Sequence, residues 1–320
     1  MAVYTHVGAE DMEALLALYG AGPLLSAKGI AEGVENSNYL IDAAGGRFIL
    51  TLYEKRVDTA DLPFFIALID HLAQGGCPVP RILPDLDGRH VQTIGGRPAC
   101  LIQFLQGVSV SRQTSRQAYA AGAALADLHL RVADFAQGPA NPQGKAAWHA
   151  LAQQLGDRLD QIVPGLAKEV AEELAFLDAH WPSDLPTSVI HADLFPDNVL
   201  MMGDEVTGII DFYFACRDMT AYDFAVTHGA WCFSADGSHY LSAIATGLGK
   251  GYTDHRALSD VERDALPVLA RGAALRFLLT RSLDWLETPP DALVARKDPL
   301  AYHRRLQFYR TATAQDILGQ

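Results

Sequence analysis

The sequence predicts an α+β protein with two lobes: a small, antiparallel β-rich N-lobe over residues 1–104 and a larger, mainly helical C-lobe over 105–320. Three observations predict this. The chain has 320 residues, which suits about two domains. Its first hundred residues alternate short β-type apolar runs with glycine-rich turns. Later residues show apolar positions at helical spacing, with a β-like interruption at 188–214.

Composition and charge narrow the classes of protein and of partner. Hydrophobic residues make up 49% of the chain and charged residues 20%, which excludes disordered, coiled-coil and collagen-like proteins. The chain has 25 basic and 38 acidic residues, a net charge of −13. A negative field repels polyanions, so we expect no nucleic acid and no anionic membrane as partner. A small nucleotide remains compatible with this net charge as a ligand, because local positive groups or a metal ion suffice to hold it.

The cysteines and the N-terminus indicate a cytoplasmic protein. The four cysteines form no C-x-x-C pair and suit neither a zinc cluster nor a disulfide framework, so we expect reduced, buried thiols. The first twenty residues lack the basic and apolar regions of a signal peptide. No uncharged apolar run reaches the roughly 18 residues that a membrane span needs.

The N-lobe is predicted from hairpin and helix signals. Strands at 38–42 and 47–53 flank a Gly-Gly turn, and a second Gly-Gly turn joins strands at 90–94 and 99–104. Between the two pairs, 62–74 repeats apolar residues at helical spacing and stops at another Gly-Gly pair. A connector to the C-lobe follows near 103–108.

The C-lobe is predicted as helices around one embedded β patch. Helices are expected at 115–135, 146–162 and 166–180, and again from about 220 to the C-terminus. Prolines predict breaks in the last helical region, at Pro267, Pro289-Pro290 and Pro299. The β patch consists of 188–202 and 206–214, joined by a short turn.

The β patch carries a polar pattern that indicates chemistry. His191, Asp193 and Asn198 form H-x-D-x-x-x-x-N, and Asp211-Phe212 follows at the end of the next strand. This spacing is typical of the catalytic loop and metal-binding Asp of kinases. Asp193 can accept a hydroxyl proton, while a hairpin would return Asp211 to Asn198, so that the two share a magnesium ion. His191 is interpreted as a loop-bracing residue.

Two other interpretations of this pattern stay open. The segment 191–198 can be an ordinary turn, with Asp197 capping and His191 buried in the core. A zinc site from His191, Asp193 and His228 is a second possibility, although it has neither an H-E-x-x-H motif nor a cysteine ligand.

Motifs along nearly the whole chain resemble those of a known protein family. The loop HADLFPDNVL and the segment IIDFYFA resemble the aminoglycoside-phosphotransferase-like kinase superfamily, and within it the chain resembles the bacterial homoserine kinases of that fold. The narrower resemblance is carried by GIAEGVENSNYLI at 29–41, RFILTLYEKR at 47–56, DLPFFIALIDHLA at 61–73, LIQFLQG at 101–107, AALRFLLTRSLDWL at 273–286 and KDPLAYHRRL at 297–306.

The resemblance implies a two-lobed, protein-kinase-like fold that holds ATP between its lobes and Mg²⁺ at the phosphates. It implies Asp193 as catalytic base, with Asn198 and Asp211 as metal ligands. Residues implied to bind the nucleotide are Gln103 and Leu105 in the connector, at the adenine pocket, and Gly33, Asn36 and Ser37 in a turn over the phosphates. For that turn, a glycine-containing hairpin turn without a ligand is the other interpretation.

One position departs from the kinase pattern. Kinases carry a lysine on the third strand, paired with a helix Glu, that holds the α- and β-phosphates. In this chain that position falls near Thr51, and the helix 62–74 contains Asp70 but no Glu. Either Lys55 or Arg56 reaches in from the strand end, or the backbone and the metal hold the phosphates. Lys55 is therefore the candidate phosphate-binding cation.

A charged residue on an apolar helix face indicates the acceptor site. Helical spacing in 270–288 places Arg276 among apolar residues, and a buried guanidinium requires an anionic partner. That partner is either an internal carboxylate, Asp218 or Asp223, or the carboxylate of a substrate. Arg276 is therefore the candidate substrate-binding residue.

Two neighbouring residues receive simpler interpretations. Arg281 lies three residues before Asp284, which predicts a pair at the protein surface. Asp223 is interpreted as a helix-start cap or as an anchor for a loop.

The resemblance, together with the polar pattern of the loop, implies an ATP- and Mg²⁺-dependent kinase that phosphorylates the side-chain hydroxyl of L-homoserine, a step of threonine biosynthesis. Its expected partners are the small molecules homoserine and ATP, and no prediction of oligomeric state follows from the sequence. Three alternatives stay open: a kinase of another alcohol (an aminoglycoside, choline or a sugar), a catalytically inactive kinase-like binding module, and a metal-dependent hydrolase.

Overall fold

The computed structural model describes residues 5–30, 36–54, 61–288 and 296–320. The chain divides into two compact units. The first comprises Met1–Gln106 together with Gly208–Tyr213, and the second comprises Gly107–Thr207 together with Phe214–Gln320. The short segment Gly208–Tyr213 therefore belongs with the first unit, whereas the sequence interpretation placed it in the C-lobe.

The first unit is an antiparallel sheet with two helices. Its strands run in the order β1-β2-β3-β5-β4. They are β1 (Leu24–Ile30), β2 (Asn36–Ala43), β3 (Gly46–Tyr53), β4 (Gln92–Ile94) and β5 (Arg97–Gln103), and the helices are α1 (Ala9–Leu18) and α2 (Leu62–Gln74). The predicted antiparallel β-rich N-terminal region is confirmed, and α2 has the predicted bounds. The sequence interpretation missed α1 and β1.

Local sequence explains the central hairpin of this sheet. Residues on β2 alternate between buried and partly exposed, as a strand with one covered face requires. Its turn needs glycine twice. Gly46 has φ 141°, and a Cβ on Gly45 would lie 2.6 Å from the carbonyl oxygen of Ala21. The hairpin then pairs Ala43 with Gly46 and aligns β2 with β3 along their whole length.

The second unit is mainly helical, as predicted. Its helices are α3 (Ser115–Arg131), α4 (Lys145–Leu155), α5 (Leu166–His180), α6 (Thr220–Trp231), α7 (Ser242–His255), α8 (Asp260–Glu287), α9 (Leu300–Tyr309) and α10 (Ala314–Leu318). Within the described ranges, no helix combines the length and the apolar character that crossing a membrane requires.

The predicted break at Pro267 is wrong. This proline lies inside α8, which runs unbroken for 28 residues. A capping box between Ser259 and Glu262 fixes the start of the helix. Residues after the proline pack into the core, including the fully buried Leu269 and Leu278. This burial outweighs the roughly 3 kcal/mol that an interior proline costs a helix.

The β patch consists of two strand pairs instead of one hairpin. β6 (Thr187–Ile190) pairs antiparallel with β9 (Cys216–Met219), a strand that the sequence interpretation missed. β7 (Val199–Met202) pairs with β8 (Glu205–Ile209). The loop 191–198 therefore begins at the end of one strand pair and ends at the start of the other.

Candidate active site

The loop 191–198 holds the polar residues of the kinase-like pattern in a fixed backbone conformation. Ala192, just before Asp193, has φ 61°, a left-handed conformation that is costly for a residue other than glycine. Asp223 offsets this cost, because its carboxylate accepts the backbone N–H groups of His191 at 2.6 Å and Ala192 at 2.8 Å. Asp193 itself is partly buried.

Asp223 lies on α6 and is fully buried. One of its side-chain partners is His129, whose Nε2 lies 3.1 Å from Oδ2 of Asp223 and whose Nδ1 lies 2.8 Å from the Tyr252 hydroxyl. Burial raises the pKa of Asp223, but the bond to His129 and the His191 contacts outweigh it, so the pKa lies below its usual value. Of its two interpretations from sequence, Asp223 is the loop anchor, and its part in shaping the loop could not be read from the motif alone.

Asn198 closes the other end of the loop. Its side-chain nitrogen donates to the backbone carbonyl oxygen of Asp193 at 2.8 Å and lies 3.4 Å from the Asp193 carboxylate. Because the amide nitrogen faces Asp193, the amide oxygen, which is the atom a metal would bind, points away from that residue. The structure thus brings together the predicted catalytic base, Asp193, and one of the predicted metal ligands, Asn198.

Asp211 follows β8 and has φ 67°, the left-handed region that Asp tolerates better than most residues. It belongs to the segment that groups with the first unit, whereas Asn198 belongs to the second. Their joint binding of a metal therefore stays a proposal. Two residues on, the hydroxyl of Tyr213 lies 3.0 Å from that of Tyr53, which ties this segment to β3.

Arg276 is buried on α8, as its helical spacing predicts. Its Nη1 donates to the carbonyl oxygen of Ala192 at 2.6 Å. The guanidinium carbon lies 4.7 Å from the ring centroid of Phe277. The hydrogen-bond partner is thus a neutral carbonyl of the loop, where the sequence interpretation expected an internal or substrate carboxylate. This contact makes Arg276 a residue that positions the loop.

The predicted surface position of Arg281 is wrong. The side chain is partly buried, and its guanidinium carbon lies 4.5 Å from the centroid of the Tyr302 ring. Burial lowers the pKa of Arg281. Helical spacing alone could not distinguish this arrangement from a surface pair, because Tyr302 comes from another helix, α9.

The predicted phosphate-binding residues are only partly described. Gly33, Lys55 and Arg56 lie outside the described residues. Asn36 is buried, and its side-chain oxygen has no hydrogen-bond partner within the described ranges. Ser37 is fully buried, accepts the backbone N–H of Thr5 at 3.0 Å and donates to Glu54 at 2.7 Å. The Ser37 hydroxyl is therefore engaged within the protein, and this geometry does not support a phosphate contact by it.

The residues at the predicted kinase lysine position and on the following helix make contacts within the protein. Thr51 lies on β3, is buried, and donates to the side chain of Asn38 at 2.7 Å. On α2, Asp70 accepts a bond from Arg81 at 3.1 Å. At this strand position and in this helix, neither half of the usual Lys–Glu pair is therefore present.

A pocket of about 610 Å³ lies in the first unit beside the predicted adenine connector. It is lined by the ends of β1, β2 and β3 and by Phe104 and Gln106. Gln103 is exposed at the end of β5, and its backbone N–H donates to the carbonyl oxygen of Arg81 at 2.9 Å. Leu105 is partly buried. Phe104 and Gln106 of the connector thus border this pocket.

The zinc interpretation gains no support. Among the described residues, no three His, Cys, Asp or Glu side chains stand close enough to hold a metal ion. His228, one of its proposed ligands, has Nδ1 2.6 Å from the hydroxyl of Tyr309, and burial lowers its pKa to about 3. A magnesium ion bound mainly by phosphates needs only one or two protein oxygens.

Comparison with known proteins places this geometry in a family. Residues 26–259 match the model of a family described as "Phosphotransferase enzyme family". The homoserine kinase of Zymomonas mobilis is 51% identical over 319 residues, which cover 99% of each chain. The homoserine kinase of Xanthobacter autotrophicus is also 51% identical, over 99% of this chain and 98% of its own.

Solved structures agree on the fold. An amicoumacin kinase in complex with AMP-PNP, Ca²⁺ and Ami matches with a TM-score of 0.70 at 15% identity, covering 97% of this chain and 95% of its own. A spectinomycin phosphotransferase in complex with ADP and spectinomycin matches with a TM-score of 0.68 at 14% identity, covering 98% of both chains. At such low identity these matches establish a protein-kinase-like fold and leave the acceptor open.

Proposed function

Since the chain belongs to the phosphotransferase enzyme family, and within it to the homoserine kinases, we propose that it transfers the γ-phosphoryl group of ATP to the side-chain hydroxyl of L-homoserine. The observation that carries this proposal is 51% identity over essentially the full length of curated homoserine kinases. The anchored loop around Asp193 supports it, because phosphoryl transfer depends mainly on positioning and electrostatics. The product would enter threonine biosynthesis.

In the proposed reaction, the homoserine hydroxyl oxygen forms a bond to the γ-phosphorus while the bond from that phosphorus to the bridging oxygen of ADP breaks. Asp193 accepts the proton of the hydroxyl as the new bond forms. Asp223, Arg276 and Asn198 bind the backbone on either side of Asp193, so the carboxylate needs little reorganisation at the moment of reaction.

Asn198 and Asp211 are the proposed magnesium ligands. An amide oxygen and a carboxylate suit a hard cation that also binds phosphate oxygens. When bound, Mg²⁺ would neutralise charge on the β- and γ-phosphates. With Thr51 at the usual lysine position, this neutralisation falls to the metal and to whichever cation reaches the phosphates, for which Lys55 remains the candidate.

We also propose that the protein works in the cytoplasm. The four cysteines, at positions 77, 100, 216 and 232, form no disulfide in the described part of the chain. Free thiols are typical of proteins in reducing compartments.

A panel of hydroxylated acceptors tests the function. We expect ADP release, and a phosphomonoester visible by phosphorus NMR, with L-homoserine. We expect kcat/KM at least about 100-fold lower with choline, a sugar or an aminoglycoside, because a pocket built for polar groups rejects acceptors that cannot pair with them. Preference for one of these acceptors would contradict the proposal, and absence of turnover with all of them would favour a binding module.

A further inference from the structure

Two arginines in the second unit stack on the ring of Tyr302. The guanidinium carbons of Arg281, on α8, and Arg305, on α9, lie 4.5 and 4.3 Å from the ring centroid. Arg305 is 4% exposed, and its Nη2 donates to the carbonyl oxygen of Ser234 at 3.1 Å. Its Nε and Nη1 atoms are buried without a hydrogen-bond partner in the described part of the chain, as is the Tyr302 hydroxyl.

These two positive charges have no protein counter-ion at contact distance. Within residues 5–30, 36–54, 61–288 and 296–320, no carboxylate forms an ion pair with either Arg281 or Arg305. For contrast, the partly buried Arg271 on the same helix, α8, forms two bonds to Glu173, at 2.6 and 2.8 Å. Buried like charges without an anion are costly. Among the described residues, the pair therefore lacks an anion at contact distance.

The arginine pair is joined to the catalytic loop through aromatic contacts. Phe195, two residues after Asp193, lies 5.1 Å from Phe277, and Phe277 stacks on Tyr302 at 4.8 Å between ring centroids. The charge of Asp193 also acts on Tyr302 and Arg281. An anion bound at these arginines would therefore lie in the electrostatic range of the proposed base.

We propose that Arg281 and Arg305 bind the α-carboxylate of the amino-acid acceptor and so select it over alcohols without that group. This inference rests on the proposed function and names the residues that decide its specificity. Two guanidinium groups can hold a carboxylate by charge-assisted, bidentate bonds. The hydroxyl oxygen of homoserine is about 5 Å from its carboxyl carbon along an extended chain, so one end at the arginines leaves the other free to face the loop.

The assignment also replaces the role predicted for Arg276. That residue binds the backbone of Ala192, and we assign it to positioning the loop. Arg281 lies in the segment 273–286 and Arg305 in the segment 297–306. These are the two segments whose sequence resembles the homoserine kinases but not the wider superfamily.

The test compares L-homoserine with 3-aminopropan-1-ol, which is the same molecule without its carboxylate. For the variant Arg281→Met we expect kcat/KM for homoserine to fall about 10- to 100-fold, the loss of one charged hydrogen-bonded contact. We expect kcat/KM for 3-aminopropan-1-ol to change less than about threefold, and KM for ATP to stay the same. Arg305→Lys, which keeps the charge but loses the fork, should show the same selectivity.

Arg304→Met is the matched control, because Arg304 is exposed on α9 and donates to the backbone of Asp236. This variant should leave kcat/KM unchanged for both acceptors. Thermal unfolding of each variant checks that the fold is intact. The inference would be overturned if Arg281→Met lowered kcat/KM equally for both acceptors, or left kcat/KM for homoserine unchanged. A rise confined to KM for ATP would also overturn it, because it would assign Arg281 to phosphate binding. If the wild-type protein phosphorylates other acceptors but not homoserine, the proposed function itself fails, and the inference fails with it.

Discussion

At the scale of single residues, Asp193 is the proposed catalytic base. We expect Asp193→Asn to lower kcat by about 10²- to 10⁴-fold, because the amide keeps the shape but accepts no proton. The affinity for ATP should stay within about twofold, since the phosphates are held elsewhere. Steady-state kinetics and calorimetric titration with ATP measure the two effects.

The matched control is Asp197→Asn, an exposed carboxylate in the same loop. It should leave kcat unchanged. Near-wild-type turnover in Asp193→Asn, or an equal loss in both variants, would contradict the assignment of Asp193 as the base.

At the scale of elements, Asp223 ties α6 to the catalytic loop. We expect Asp223→Asn to destabilise the protein by about 1.5–3 kcal/mol, because hydrogen bonds to a buried charge are lost or weakened. Turnover should fall as well, because the loop loses two backbone contacts. Urea unfolding and steady-state kinetics measure these losses.

The pH dependence of the same variant tests the ionised state of Asp223. Its pKa in the folded protein lies below the ordinary value of 3.8, so its contribution to stability is present above that pH. The contribution is lost as the pH falls through the lowered pKa. The difference in unfolding free energy between wild type and Asp223→Asn should therefore be constant near neutral pH and shrink in acid. A difference that grows in acid would show that Asp223 is protonated in the folded protein.

Helices α3 and α7 pack backbone to backbone through glycine. A Cβ on Gly122 of α3 would overlap the carbonyl oxygen of Leu248 and lie 2.9 Å from the backbone nitrogen of Tyr252, both on α7. We expect Gly122→Ala to destabilise the protein by about 1–3 kcal/mol, because backbone atoms must move apart.

Gly229→Ala on α6 is the control for this effect. Its nearest neighbour would be the Tyr309 hydroxyl at 3.6 Å, an ordinary contact, and alanine favours a helix by about 0.8–1 kcal/mol over glycine. Chemical unfolding measures the free energy of unfolding of each variant for comparison with the wild type. Equal stability of Gly122→Ala and wild type would show that α3 and α7 can separate without cost.

At the scale of the whole molecule, ligand binding should raise stability. At an ATP concentration about 100 times its Kd, the free energy of unfolding should rise by about 2.7 kcal/mol. We expect most of this gain to require Mg²⁺, because the net charge of −13 disfavours an uncompensated polyphosphate. Thermal unfolding with ATP, in magnesium or in EDTA, measures it.

The variant Asp211→Asn tests the proposed ligand within the same experiment. Asn is chosen because it tolerates the φ of 67° at this position, so a change reflects the metal more than backbone strain. The magnesium-dependent part of the ATP stabilisation and the turnover should both be lost. An unchanged stabilisation by Mg·ATP in the variant would remove Asp211 from the proposed metal site.

The features that could be predicted from the sequence depend on residues that lie close together in the chain. Helix α2 could be predicted to the residue because its apolar spacing and its Gly-Gly stop lie within 62–76. The hairpin of β2 and β3 follows from alternation and a two-glycine turn. The spacing of His191, Asp193 and Asn198 could be recognised for the same reason, since eight consecutive residues contain the whole loop.

Contacts between residues distant in the chain could be identified only from the folded structure. Pro267 stays helical because α8 is buried against other elements, and Asp223 and Arg276 reach the loop from 31 and 84 residues away. Arg281 lies on the ring of Tyr302 instead of at the surface. A periodic pattern shows which face of a helix is apolar but not which element covers it, so the partner of a buried charge follows only from packing.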